Sequence, residues 1–427
     1  MPEAILPRDG SIIKPPGSPS HTRRASLKIL SRNIDKVVLG NLLFDTWYFS
    51  PYPETVIFGL DYHSSKALSN GEQRNGHHEK LVSPVLPKLH VCPYCFKYGT
   101  SPVDYVSHLQ VHVAGIEADP GDWWPVPRTA LKVYEWNGYT VWDVDGEQEK
   151  LYCQNLSLFA KLFLEQKSVF FDTAGFHYFV LTYSPVNEPS TPNAAKSRGR
   201  RRTSSGTSRD LGLRTQVMGF FSKENLSWDA NNLACILVFP PYQHRNLGQL
   251  LMAVSYKLSG WEWEDSIIGG PEKPLSTLGR RSYLRFWSER VARFFMGQTA
   301  DAEGQKVFGK VSKKRATFAK EDMTIKEIGD RTGVLPEDVI AALNEMGICE
   351  GAPQKRKKKL DDQQGSEPTD DLLPTTMLIK RSQILVWAEK HNVDLVGPVK
   401  EEGFLGEWAL SDSDDSGSTD PTCAQET

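Results

Sequence analysis

The rhythm of apolar positions changes several times along the chain, and each change predicts a different element. Between Val126 and Asp145 apolar and polar residues alternate, with Leu131, Val133, Tyr139, Val141 and Val144 as the apolar positions. A period of two predicts short antiparallel strands. Apolar and aromatic runs predict further strands at Val37–Leu39, Leu42–Tyr52, Val169–Asp172, Tyr178–Tyr183 and Val217–Ser222. From Gln154 to Glu165 the spacing lengthens, and Leu151, Leu158, Leu162 and Phe163 fall on one helical face. An apolar strand, Leu233 to Phe239, stops at Pro240-Pro241. A helix from Gly248 to Leu258 follows, and a longer one covers Arg281 to Met296. Thr324–Thr332 and Pro336–Met346 predict two short helices around Gly333, at helix-turn-helix spacing. Leu378–Trp387 and Phe404–Leu410 predict wing or return strands. Strands mixed with helices, plus appendages, predict an α+β enzyme core.

Composition divides this pattern into segments. Residues 1–32 are rich in Pro, Ser and Arg and predict disorder. Residues 33–145 form an N-terminal segment, 146–300 a catalytic core and 301–410 a helix-turn-helix-like region, and the acidic stretch 411–427 predicts a disordered tail. Within these, Ser64–Pro87 predicts a loop, Ser184–Arg214 a flexible insertion between neighbouring strands, and 353–371 a charged linker. With 427 residues there is room for two or three cores. The net charge of -3 hides local basic runs at Arg23-Arg24, Arg198–Arg202 and Lys355–Lys359. No apolar leader and no stretch of membrane-spanning hydrophobicity is visible, which predicts a soluble, intracellular protein.

Six cysteines in a chain this long do not form a secreted disulfide scaffold. Two of them carry a metal-type spacing: Cys92-Pro-Tyr-Cys95, twelve residues, then His108, three residues, and His112. Thiolates and imidazoles suit Zn²⁺, and four protein ligands leave no open coordination position, so the site is expected to be structural. A solitary DNA-reading finger would specify only about three base pairs; nucleic-acid readout is the lesser reading.

The strand ending at Phe239, the turn Gln243-His-Arg-Asn-Leu-Gly248 and the helix behind it make a phosphate-binding arrangement. Helix-end N–H groups are unpaired and the dipole is positive there. Cys235 lies in the strand. It is either a small buried apolar residue, as free cysteine usually is, or a nucleophile.

Several motifs occur in an order that resembles the MYST family of histone acetyltransferases. They are Leu43–Pro53, the Cys/His segment, Lys150-Leu-Tyr-Cys-Gln-Asn-Leu, Ala160-Lys-Leu-Phe-Leu, Gly219-Phe-Phe-Ser-Lys-Glu, Asn231–Gln243 and Pro271-Glu-Lys-Pro-Leu-Ser276. The resemblance runs from about Asn33 to Met346, and more weakly to Trp408. With no recognisable chromodomain before the finger, the chain looks most like the fungal silencing-type members. The resemblance implies an acetyltransferase core with a curved, mainly antiparallel sheet, and acetyl transfer from acetyl-CoA to a lysine on a histone tail. Histone H4, with tail position sixteen, is the implied target. Glu272 would be the general base and Cys235 the active-site cysteine, as site wall or as covalent nucleophile. Ile236, Leu237 and Val238 would offer backbone groups to the pantetheine arm. Gln243, His244, Arg245, Asn246, Leu247, Gly248 and Gln249 would hold the pyrophosphate, with Ser276 touching the cofactor. Lys167 aligns with a lysine that family members acetylate on themselves. Asn246 stands where the family pattern has its first glycine, and asparagine tolerates the positive φ such a turn needs.

Partner subunits, nucleosomal histone and non-specific DNA contacts are the implied partners, with the nucleus as location and Lys355–Lys359 as import signal. Two rivals stand beside this reading. One is a zinc-finger and helix-turn-helix chromatin-binding protein with a weakened acetyltransferase core. The other is an acetyltransferase of non-histone proteins.

Overall fold

The computed structural model describes residues 32–58, 85–118, 125–185, 215–260, 262, 267–297, 322–348 and 377–409. The expectations for residues 1–31, 186–214, 353–371 and 410–427, including both longer basic runs, lie outside them. The chain divides into two compact units, Met1–Leu251 and Met252–Thr427.

The first unit holds two sheets. In one, β1 (Ile34–Leu39) pairs antiparallel with β2 (Leu42–Asp45) and parallel with β3 (Leu86–Val91), while β4 (Tyr98–Gly99) closes back on β3. Helices α1 (Glu54–Phe58) and α2 (Pro102–Ala118) accompany it. The other sheet is an antiparallel meander in sequence order: β5 (Leu131–Trp136), β6 (Tyr139–Asp145), β7 (Phe176–Tyr183), β8 (Gln216–Glu224) and β9 (Cys235–Val238). Its first hairpin turns on Asn137-Gly138, both at positive φ (49° and 80°). That is the two-residue turn whose twist matches the flanking strands.

Helix α3 (Lys150–Lys161) joins the two sheets. Its buried face of Tyr152, Cys153, Leu156, Phe159 and Ala160 follows helical spacing. Ser157 Oγ lies 2.9 Å from the Tyr178 hydroxyl of β7, and Ser50 Oγ donates to the Leu158 carbonyl at 2.8 Å. Phe159 meets Phe96 at 5.5 Å between ring centroids and Phe239 at 4.9 Å. Helix α4 (Leu247–Leu258) begins one residue before its predicted start.

Four expectations need correction here. The helix predicted at Gln154–Glu165 runs from Lys150 to Lys161, because the Leu162 carbonyl is taken by the backbone N–H groups of Trp47 and Tyr48, both at 2.9 Å. Those same bonds end the strand predicted for Leu42–Tyr52 at Asp45. Val169–Asp172 forms no strand: its propensity finds no ladder, Phe171 is exposed, and the Phe171 carbonyl accepts from the Gln154 side chain at 2.7 Å. Leu86 and Pro87, at the end of the expected Ser64–Pro87 loop, already belong to β3.

The second unit centres on α5 (Thr277–Met296), which packs against α6 (Ile325–Thr332), α7 (Pro336–Glu345) and α8 (Arg381–Lys390). Phe286, Trp287, Val291 and Phe295 are its buried side. Thr324 caps α6 by a reciprocal capping box with Glu327, and Gly333 ends it at φ 67°. β10 (Asp322–Thr324) pairs with β11 (Leu378–Lys380). The strand predicted for Leu378–Trp387 therefore lasts three residues before α8 takes over, with Ile384 and Ala388 buried one helical turn apart. Phe404–Leu410 forms no strand either. Turns of 3₁₀ helix occupy Glu401–Gly403 and Gly406–Trp408, and buried Phe404 anchors them.

Phe159→Ala should cost about 3–5 kcal/mol of stability, as cavities left by buried aromatics do. Phe171→Ala, at an exposed position, should stay within ~0.5 kcal/mol. Urea unfolding followed by tryptophan fluorescence measures both.

Candidate functional site

Cys92 follows directly on β3, and the turn after it is closed by Cys92 N–H to Lys97 O at 2.8 Å and Phe96 N–H to Cys92 O at 3.0 Å. Phe96 occupies the left-handed region there, at φ 57°. His108 and His112 sit one turn apart on α2. Cys95 Sγ is 3.2 Å from His108 Nε2, which is 3.2 Å from His112 Nε2, and all four ligand atoms lie within 4.8 Å of one another. Ordinary Zn–S and Zn–N bonds in a tetrahedron imply ligand separations of roughly 3.3–3.8 Å, so the donor set fits zinc. The hydrogen bond from the Cys92 thiol holds Cys95 down at about 3; burial opposes this, and His112 and His108 add to it. The same bond and burial push Cys92 up. With four protein ligands the centre is structural. It is tied to α3 by Asn155 Nδ2 donating to Cys95 O at 3.4 Å.

The phosphate-type loop belongs to the same unit. β9 is the last strand of its sheet. Phe239 N–H bonds Met218 O at 2.9 Å, and in an antiparallel ladder the bonded pairs alternate. Leu237 and Cys235 therefore turn their backbone toward Phe220 and Ser222 of β8, while Ile236 and Val238 turn theirs to the other side, where no strand lies among the described residues. This divides the three residues expected to meet the pantetheine arm. Val238 O is also held by Gln243 Nε2 at 2.9 Å, which locks the loop's first residue to the strand. Tyr242, buried, donates to Gln216 Oε1 at 3.1 Å.

His244 and Asn246 both take positive φ, 64° and 58°. Asn246 meets the backbone demand foreseen for it, and His244 meets one that residue type gave no reason to expect. His244, Arg245 and Asn246 are exposed at the loop tip, whereas Leu247 and Gln249 are buried behind it. Asn246 O accepts the first helical bond of α4, from Leu250 N–H at 3.2 Å. The first-turn N–H groups of such a helix face outward. A Cβ built on Gly248 would meet nothing within 4 Å. The protein's own packing thus leaves open the space a glycine would keep for a phosphate.

Cys235 is half-buried, unlike Cys92 and Cys153, so the reading as a fully buried core residue gives way to an accessible thiol. Lys161, at the end of α3, is lowered by burial, and feels Lys167 and Cys235 among its charged neighbours. Lys167 is not the solvated helix-end lysine its sequence context suggests: it is 5% exposed. Asn232, three residues before Cys235, is buried with neither amide atom hydrogen-bonded. Only its place in an otherwise apolar run could have signalled it.

In the second unit Glu272 is exposed in the loop leading to α5. Its neighbour Lys273 reaches Asp338 Oδ1 at 2.8 Å and Glu337 Oε1 at 3.6 Å. Ser276 is the N-cap of α5, where its hydroxyl accepts from Gly279 N–H at 3.0 Å; its oxygen serves the helix first. The helix-turn-helix places α7 against α5, with Val339, Ala342 and Leu343 buried and two carboxylates, Glu337 and Asp338, in its first turn. An acidic, inward-facing second helix does not suit a DNA major groove. Among the described residues no helix is long and apolar enough to cross a membrane.

The MOZ/SAS family profile matches residues 128–191 and 207–374. That of the MYST family zinc finger domain matches residues 31–61, ahead of the four metal ligands. The chain is 31% identical to histone acetyltransferase MOF of Drosophila melanogaster over 73% of its own length and 27% of the relative's. It is 34% identical to histone acetyltransferase SAS2 of Saccharomyces cerevisiae over 60% of this chain and 63% of the relative. For SAS3 of the same yeast the identity is 29%, over 79% and 33%. The match thus spans less than two thirds of each relative.

Elemental analysis of the purified chain should find zinc bound at this centre, and Cys95→Ala should remove it. Loss of the metal should lower the melting temperature, since a structural zinc contributes folding free energy directly. With zinc bound, iodoacetamide should label half-buried Cys235 ahead of Cys153, whose thiol burial pushes up. Mass-mapped labelling reads the order.

Proposed function

Because its profile covers more than half of the residues, the chain belongs to the MOZ/SAS family, and we propose that it is a protein-lysine acetyltransferase acting on a histone tail. The observation that carries this reading is strand β9 running into a left-handed loop and a helix start where, among the described residues, nothing fills the space at Gly248. That sequence of parts suits an extended thiol cofactor ending in a pyrophosphate. Acetyl-CoA is the co-substrate. Ile236 and Val238 would meet its amide-bearing arm, and residues Gln243 to Gln249 its phosphates. Arg245, exposed at the loop tip, would add a charge-assisted donor.

The acceptor is a lysine ε-amine. With a pKa near 10.4, only about 10⁻³ of it is free amine near neutral pH, which places about 4 kcal/mol in front of attack. Glu272 removes that proton. The amine then attacks the thioester carbonyl, the C–S bond breaks, and the released thiolate takes up a proton. Direct transfer is favoured, with half-buried Cys235 lining the site. The covalent alternative would pass acetyl through the Cys235 sulfur first. Lys167 is proposed to be acetylated in the enzyme's own active form, as an internal acyl group beside Lys161 and Cys235.

That these relatives are histone acetyltransferases supports histone as the substrate class. Within it, the silencing-type resemblance favours the H4 tail at position sixteen, nuclear action and partner subunits that deliver the nucleosome. Any contact with DNA would be non-specific and made outside α7.

Glu272→Gln should lower kcat on an H4 tail peptide by about 10²–10⁴-fold near neutral pH. The deficit should narrow as pH rises toward the acceptor's own pKa, because solvent then deprotonates the amine. Cys235→Ala should keep kcat within about threefold of the wild type, whereas a covalent route requires near-complete loss. Peptides with single lysines changed to arginine identify the acceptor: turnover that survives replacement of position sixteen alone would overturn that assignment.

A further inference from the structure

We propose that Asp338, in the first turn of α7, is a positioning residue that holds the Glu272 loop in place through Lys273. The inference rests on Glu272 being the base. The loop touches the start of α7 on both sides of that residue. One residue after it, Lys273 Nζ lies 2.8 Å from Asp338 Oδ1. Two residues before it, a Cβ added to Gly270 would fall 2.8 Å from Leu335 Cδ1 and 3.2 Å from Asp338 Oδ2. Backbone packing and an ion pair thus fix the two ends of a four-residue span that carries Glu272 between them.

The burial of the pair separates it from an ordinary surface ion pair. The Asp338 side chain is 4% exposed, against 43% for Lys273 and 60% for the adjacent Glu337. Its second oxygen is buried with no hydrogen-bond partner. A carboxylate at a helix start gains from the dipole, but an exposed one such as Glu337 gains the same without being desolvated. A buried carboxylate persists only when a cation holds it, and burial does push this one up while Lys273 pulls it back. The cation that does so is covalently next to the base. Asp338 and Leu335 also show what the helix-turn-helix contributes: its second helix start is a socket for the loop.

Kinetics of the full chain with acetyl-CoA and an H4 tail peptide test this. Lys273→Met should lower kcat by about ten- to a hundredfold, the loss expected when a reacting group drifts by about 1 Å. The peptide KM should move by less than about threefold. Lys273→Arg, which can still reach Asp338, should restore most of the rate. In a Glu272→Gln background Lys273→Met should add no further loss, because the lysine acts only through the base. Wild-type kcat in Lys273→Met, or an equal loss in both backgrounds, would overturn the proposal. If Glu272→Gln itself retains full activity, the base assignment fails instead. Hydrogen exchange then still decides the tether: Lys273→Met and Asp338→Asn should speed exchange across residues 267–276 and leave α5 protected. Unchanged exchange there would sink it.

Discussion

Three phenyl rings hold the first unit together. Phe96 comes from the metal turn, Phe159 from α3 and Phe239 from the end of β9. Their centroids lie 5.5, 6.0 and 4.9 Å apart, pairwise, and all three are fully buried. Aromatic contacts of this kind contribute about 0.5–1.5 kcal/mol each beyond the area they bury. Tyr152 adds a fourth ring against Phe96 at 5.6 Å. Two of the rings, Phe96 and Phe239, belong to short segments. The metal turn is held by zinc and two short strands, and β9 by four pairs to β8. The left-handed backbone at Phe96 serves the cluster: that conformation aims the ring inward while Cys95 stays with the ligands.

The charged groups follow a different logic in the two units. In the first, the buried cations and thiols gather around α3, where Cys153, Lys161, Lys167 and Cys235 feel one another. In the second, one carboxylate is drawn out of water at the start of α7 and held by a lysine of the loop that carries Glu272. Neither arrangement stabilises the fold cheaply, since desolvating ions costs several kcal/mol each. Such expense is characteristic of functional sites rather than of scaffolding. Both units place it beside the residues proposed to do the chemistry.

Much of this was legible from residue order. The alternating β5–β6 hairpin, the apolar helix α4 and the paired helices around Gly333 all follow from periodicity and turn residues, whereas the antiparallel sheet as a whole was an implication of the family resemblance. The Cys/His centre was legible too, because ligand spacing constrains geometry directly. The failures share a cause. Leu378–Trp387 has strand propensity, yet Ile384 and Ala388 find a core only as a helix. Val169–Asp172 has strand propensity and finds no strand partner among the described residues. Propensity speaks for one segment, whereas pairing depends on what lies across from it. The burial of Lys167 and the reach of Lys273 to Asp338, 65 positions away, were equally invisible. Both depend on contacts that no local pattern encodes.

The ring cluster has a consequence for how the first unit responds to its ligands. A metal at Cys95 restrains the chain one residue from Phe96, and a ligand at the Gln243 turn would restrain it four residues from Phe239. Each therefore orders one side of the same packed contact. Occupancy at either end lowers the conformational entropy still to be lost at the other, and linkage makes that effect reciprocal. Metal binding at the finger would then contribute to affinity at the Gln243 turn through the rings the two segments share.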